Sequence, residues 1–172
     1  MAKLKFFLLA TCFFFSNLCL ANNVAYQVCF TPGQNCTALI VEQIDAAKKN
    51  IWVQAYSFTS HPIGDALVRA RNRGVEVAII MDKSNFQPYM QSSARFLLHH
   101  GIKLWNDNQL NIAHNKVMIF DDQVVETGSF NYTYAAQNDN AENVLIINNP
   151  ELAQAYLANW QNRQQVSVAI QP

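Results

Sequence analysis

Short apolar runs of strand length alternate with stretches of helical periodicity along most of this 172-residue chain, the pattern of an α/β layered domain. Glycines close two of the helical stretches, at Gly74 and Gly101, and residues 75–81 are apolar almost without interruption, as in a strand buried on both faces. No internal repeat or low-complexity segment interrupts the pattern, so one domain holding one copy of any site is expected.

Taken in order, residues 24–30 read as the first strand. Thr37 is the expected N-cap of a helix to about residue 49, which places Leu39, Ile40, Ile44 and Ala47 on one face. Residues 51–57 form the next strand, 62–73 a helix stopped by Gly74, and 75–81 a buried strand. A third helix spans 92–100 and ends at Gly101. Residues 103–105 follow, then an Asn-rich loop, a strand at 115–120, a turn at Asp121-Asp122 and a strand at 124–127; the last two pair as a hairpin. A short helix is expected at 131–136, a strand at 143–147, and a helix at 150–163 with Pro150 near its first position. The tail, residues 164–172, has no assignable pattern.

Ahead of this domain, Lys3 and Lys5 precede an apolar run at 6–15 and a small-residue exit at Cys19-Leu20-Ala21, which is the make-up of a secretory signal cleaved after Ala21. An uncleaved anchor is the alternative, but ten apolar residues fall short of the roughly 20 that span hydrocarbon. Lipidation at Cys19 is disfavoured because Ser16-Asn17-Leu18 lacks the expected small residues. The expected division is thus a signal peptide at 1–21 and a domain at 22–172, placing the mature protein in the periplasm or outside the cell. The full chain has twelve Lys plus Arg and twelve Asp plus Glu; loss of Lys3 and Lys5 makes the mature chain weakly acidic, so a polyanion must be met by a local basic surface. Two cysteines remain, Cys29 and Cys36, flanking a Pro32-Gly33 turn. In an oxidising compartment they are expected to pair, the alternative being two free buried thiols.

The chemistry is concentrated in one segment. His114-Asn115-Lys116 is followed by Asp121 and then by Gly128-Ser129-Phe130-Asn131, a pattern of six fixed residues. With each arising about one time in twenty, the set arises by chance about once in 10⁸ start positions. His114 and Lys116, two apart at the head of a strand, point to one face, and the return strand brings Ser129 and Asn131 back beside them. Phosphodiester cleavage needs a nucleophile, a proton donor for the leaving oxygen, and donors for the non-bridging oxygens. Histidine serves as either of the first two, because its ordinary pKa near 6.5 makes both protonation states accessible. Lys116 and Asn131 suit the non-bridging oxygens, Ser129 adds a hydrogen bond, and Asp121 is a tether for Lys116 or a brace for the hairpin.

This segment resembles the motif of the phospholipase D superfamily and is most similar to its short, single-motif bacterial endonucleases. The similarity extends to Ala55-Tyr56-Ser57-Phe58-Thr59, Arg73-Gly74-Val75-Glu76-Val77 and Glu126-Thr127-Gly128. The resemblance implies a mixed sheet sandwiched between helices and a covalent phosphohistidine formed by one motif histidine while a second protonates the leaving group. It also implies a downstream glutamate that orients the histidine ring, the place matched by Glu142. Two histidines from one motif call for a twofold homodimer with each subunit's His114 at the axis.

The expected substrate is nucleic acid, DNA first and RNA second, cut with little sequence preference because a phosphate-reading site carries no base information. No cofactor, metal or obligatory membrane partner is expected. Hydrolysis through a metal held by Asp121, Asp122 and Glu126 would leave His114 and Lys116 without a task. A lipid phosphodiesterase or phosphatidyl transferase satisfies the same motif, but no amphipathic basic helix marks an interfacial enzyme. His61, His99 and His100 read as structural, Arg69, Arg71 and Arg73 with Lys48 and Lys49 as solvated helix faces, and Tyr132 and Tyr134 as packing residues.

Overall fold

The computed structural model describes residues 24–88 and 91–171; the expected signal at 1–21 lies outside them. The elements in chain order are β1 (Ala25–Thr31), α1 (Cys36–Ala46), β2 (Asn50–Ala55), α2 (His61–Asn72), β3 (Glu76–Asp82), a 3₁₀ turn (Lys83–Phe86), α3 (Ser92–His99), β4 (Lys103–Asp107), β5 (Lys116–Phe120), β6 (Val124–Gly128), α4 (Tyr134–Asn138), β7 (Glu142–Asn148), α5 (Pro150–Val166) and β8 (Val168–Ile170). The strands form one sheet in the order β1-β7-β6-β5-β2-β3-β4-β8. β2, β3 and β4 are parallel and joined by α2 and α3, whereas the other neighbours are antiparallel, so the sheet is mixed.

Helices cover both faces. Ile40 and Ile44 of α1, Leu67 of α2 and Leu97 of α3 close over Val53, Ile79, Met118 and Val144 on one side. On the other, α5 lies alone over Ile80, Val117 and Ile119, with Trp160 donating its indole N–H to the Val53 carbonyl at 2.9 Å. Because α5 does not reach the β1 edge, Tyr26, Val28 and Phe30 remain exposed there. Cys29 and Cys36 are joined in a disulfide, which ties β1 to the start of α1.

Several boundaries differ from the sequence reading, each for a local reason. The cap of α1 is Asn35, whose side chain accepts from Ala38 N at 2.9 Å, and Thr37 lies inside the helix. The helix stops at Ala46 rather than near residue 49 because the Asp121 carboxylate takes the backbone N–H groups of Lys48, Lys49 and Asn50. The short helix expected at 131–136 begins later, at Tyr134, where Thr133 caps it through Ala136 N, leaving Asn131 and Tyr132 extended beside Phe58. The unassigned tail supplies the end of α5 and β8, an edge strand whose Ile170 pairs with Leu104. The basic run on α2 has internal partners: Arg69 and Arg73 bind Asp45, and Arg71 donates to the Gly101 carbonyl.

Candidate active site

Register delivers the motif to one end of the sheet. Lys116 opens β5 opposite Ala55 of β2, and Gly128 closes β6 opposite Val144 of β7, so the ends of β2 and β6 and the starts of β5 and β7 lie side by side. His114 stands two residues before Lys116 and is exposed, while Lys116 is only 6 % exposed. The Lys116 ammonium donates to the His114 carbonyl at 2.7 Å and lies 3.2 Å from ring Nδ1. Burial lowers the Lys116 pKa, and the nearby Glu142 carboxylate partly offsets this.

Beyond β6, Ser129 Oγ donates to Glu142 Oε2 at 2.5 Å and accepts from Asn143 N at 3.1 Å. Asn140 donates to the other Glu142 oxygen at 2.9 Å, and Thr31 Oγ1 accepts from Glu142 N. Glu142 therefore joins the site electrostatically through Lys116 and Ser129; among the described residues the His114 ring faces Lys116 and makes no hydrogen bond to Glu142. Asn131, two residues past Ser129, has a buried Oδ1 with no hydrogen-bond partner among the described residues. Turned about its last bond, that amide presents an N–H at the same point, a donor for an incoming anion.

Of the two tasks expected of Asp121, the brace for the hairpin is the one found, and a catalytic place as a tether for Lys116 is corrected. Asp121 sits at the far end of β5, roughly 20 Å along the strand direction from His114. With Asp122 it occupies the left-handed region (φ 55° and 58°) of the hairpin turn, and its carboxylate accepts three backbone N–H groups at 2.6–3.2 Å. It braces the hairpin and the α1–β2 junction and touches no reacting group. Asp122 accepts from Trp52 Nε1 and Asn50 Nδ2 in the same turn, well away from Glu126 in the core.

Tyr56, given no role in the sequence reading, stands at the site. Its ring packs on His114, centroids 4.4 Å apart, and lies 4.9 Å from the Lys116 ammonium. The segment is tightly held: Tyr56 N donates to the Asn115 carbonyl, and fully buried Asn85 donates to the Tyr56 carbonyl while accepting from Phe58 N. Its sequence signal is its place in the Ala55-Tyr56-Ser57-Phe58-Thr59 stretch that carries part of the resemblance.

Glu126 was also missed as a structural acid. It is wholly buried, accepts from Tyr132 Oη at 2.7 Å, and burial pushes its pKa up to about 8, an effect partly offset by Tyr132 and the Met118 backbone. Because the folded pKa exceeds the unfolded value of about 4.5, the stabilising contribution of this group is complete below pH 4.5 and is lost as pH rises towards 8. Urea unfolding from pH 5 to 8 is expected to show a decline on the order of 1 kcal/mol per pH unit from this residue. The Glu126→Gln variant is expected to lack that part of the slope; parallel slopes for the two proteins would refute the assignment.

The sequence profile of the family described as "Cardiolipin synthase, PLD-like domain" matches residues 40–163. A protein named phospholipase D from Rickettsia felis is 47% identical over 138 residues, covering 80% of this chain and 68% of that one. The mitochondrial cardiolipin hydrolase of Canis lupus familiaris is 30% identical over 134 residues, 77% of this chain and 52% of its own length. Among solved structures, the phospholipase D family member Nuc from Salmonella typhimurium superposes with a TM-score of 0.83 at 38% identity, covering 87% of this chain and 99% of that one. With the paired His114 and Lys116 and the Ser129–Glu142 bond at one end of its mixed sheet, the chain belongs to the PLD-like family, the phosphodiesterases of the phospholipase D superfamily.

Proposed function

We propose that this protein is an exported, metal-independent endonuclease that hydrolyses phosphodiester bonds in DNA, with RNA as a second substrate. A neutral His114 attacks phosphorus; the P–N bond forms as the P–O bond to the leaving nucleoside breaks, and the departing oxygen takes a proton from the other subunit's His114. Water then gives that proton back to the second imidazole and attacks phosphorus, breaking the P–N bond and freeing the first His114. Lys116 and the unpaired Asn131 amide hold the non-bridging oxygens, and Ser129 and Glu142 fix the strand ends that carry them. The second histidine comes from a twofold dimer, and the paired rings give a bell-shaped pH–rate profile that belongs to the pair.

The observation that carries the nuclease reading over a lipid enzyme is the surface around His114. His114 is exposed, and the cleft beside it, lined by Gln54, Asn115, Asp107 and Arg163 together with Ile80, Leu110 and Ile112, holds about 190 Å³, a volume too small to bury an acyl chain. No helix among the described residues is long and apolar enough to cross a membrane. The names of the rickettsial and canine relatives favour the second reading, a lipid phosphodiesterase or phosphatidyl transferase.

One experiment separates them. The secreted protein, incubated with plasmid in a chelator between pH 6 and 8, is expected to nick and then fragment the DNA. Intact plasmid, or cutting only when a divalent metal is supplied, would overturn the proposal, and head-group release from phospholipid vesicles without DNA cleavage would establish the lipid reading.

A further inference from the structure

The cleft beside His114 contains groups for which phosphoryl transfer has no use. Its floor is polar and braced. Gln54, 6 % exposed, accepts from Asn115 Nδ2 at 2.7 Å and donates to Asn159 Oδ1 at 3.1 Å. Arg163 forks onto the buried Asp107 at 2.6 and 2.8 Å. Its outer wall is apolar: Leu110 and Ile112, 48 % and 53 % exposed, stand on the loop between β4 and β5.

That loop is held at two points. Lys83 Nζ donates to the Leu110 carbonyl at 3.1 Å, and Asp82 Oδ2 accepts from Ala113 N at 2.8 Å, one residue before His114. The backbone that carries these two exposed aliphatic side chains is therefore held at the mouth of the cleft. Asn115, itself exposed, has an amide oxygen that takes no hydrogen bond among the described residues, and one N–H of the buried Gln54 amide is left over after its bond to Asn159. A ligand that satisfies both parts has a flat apolar face and a polar edge. An acyl chain would cover Leu110 and Ile112 but would strand the amides.

We propose that this cleft receives one unstacked nucleobase, from the nucleotide next to the scissile phosphate, with Leu110 and Ile112 against its face and Gln54 and Asn115 at its edge. The assignment rests on the nuclease reading and makes single-stranded nucleic acid the preferred substrate, because a paired and stacked base cannot enter. Leu110 and Ile112 touch no reacting atom, and being exposed they are replaceable without loss of the core.

The test uses single-stranded oligonucleotides with one phosphodiester among uncharged methylphosphonate linkages, carrying a base or an abasic sugar on either side of that bond. For the unaltered protein, removing the base on one side is expected to raise KM about tenfold with kcat little changed. The double variant Leu110→Ser, Ile112→Ser is expected to show the same rise on the base-bearing substrate and no further loss on the abasic one. Equal cleavage with and without the base, or an equal loss by the variant on both substrates, would overturn the proposal. So would a variant that cuts oligonucleotides normally but releases head group from vesicles more slowly, which would make the loop a lipid contact. An unaltered protein that cuts neither these substrates nor plasmid brings down the nuclease reading itself; normal plasmid cleavage with no dependence on the base refutes only the cleft assignment.

Discussion

Replacing His114 by alanine is expected to lower turnover by about 10⁴-fold or more, because in the proposed mechanism the same side chain supplies the nucleophile from one subunit and the proton donor from the other. Both roles vanish together, so the loss belongs in kcat, while KM, set by Lys116, Asn131 and the surrounding surface, should change little. The imidazole is exposed and its main contact is the Tyr56 ring, so the fold should lose only about 0.5 kcal/mol. Steady-state kinetics on DNA, with thermal unfolding and solution mass measured on the same sample, check all three statements. A variant that keeps a tenth of the activity would exclude a phosphohistidine at this position, and one that no longer folds or dimerises would show a structural role instead.

The second large effect is on stability and comes from Gly128→Ala. A β-carbon there would lie 2.1 Å from the Asn143 carbonyl oxygen and 3.0 Å from its carbonyl carbon, in the neighbouring strand. The obstacle is backbone, which cannot turn aside as a side chain would. β6 and β7 must separate where Gly128 pairs with Val144, and the Ser129 N–H bond to the Asn143 carbonyl is strained with them. A cost of about 3 kcal/mol or more is expected, lowering the melting temperature by roughly 10 °C for a domain of this size. Activity should fall as well, since Ser129 and Glu142 flank the same junction. A variant melting within about 2 °C of the parent would show that the strands yield without strain.

These two residues show what kind of information each level of description carries. His114 was legible in the sequence because its partners follow on one hairpin, where a spacing of two and a short return strand set the geometry locally. Gly128 was legible as part of a motif, but the reason for glycine is the Asn143 carbonyl in β7, fifteen residues on in a strand whose register no local pattern states. Asp121 shows the opposite case. It belongs to the same sequence pattern as His114, yet an extended strand carries it to the far end of the sheet, where the backbone N–H groups of residues 48–50 claim it. Tyr56 lies 58 residues from His114 in the chain and reaches it only because β2 and β5 are antiparallel neighbours with Ala55 opposite Lys116.

The amino-acid pattern by itself determined the layered α/β class, nearly every strand and helix, and the pairing of an imidazole with an ammonium at the head of a strand. All of these are set by side-chain periodicity and by spacings of a few residues. Only the tertiary structure decided which distant groups share the end of the sheet: Tyr56 against His114, Glu142 within the field of Lys116, Asp121 excluded, and Glu126 buried as an acid. It also joined the last residues to β4 as an edge strand. The physical reason is that strand register and burial are set by the packing of the whole core, so the neighbours of a residue across a sheet are not written in its own stretch of chain.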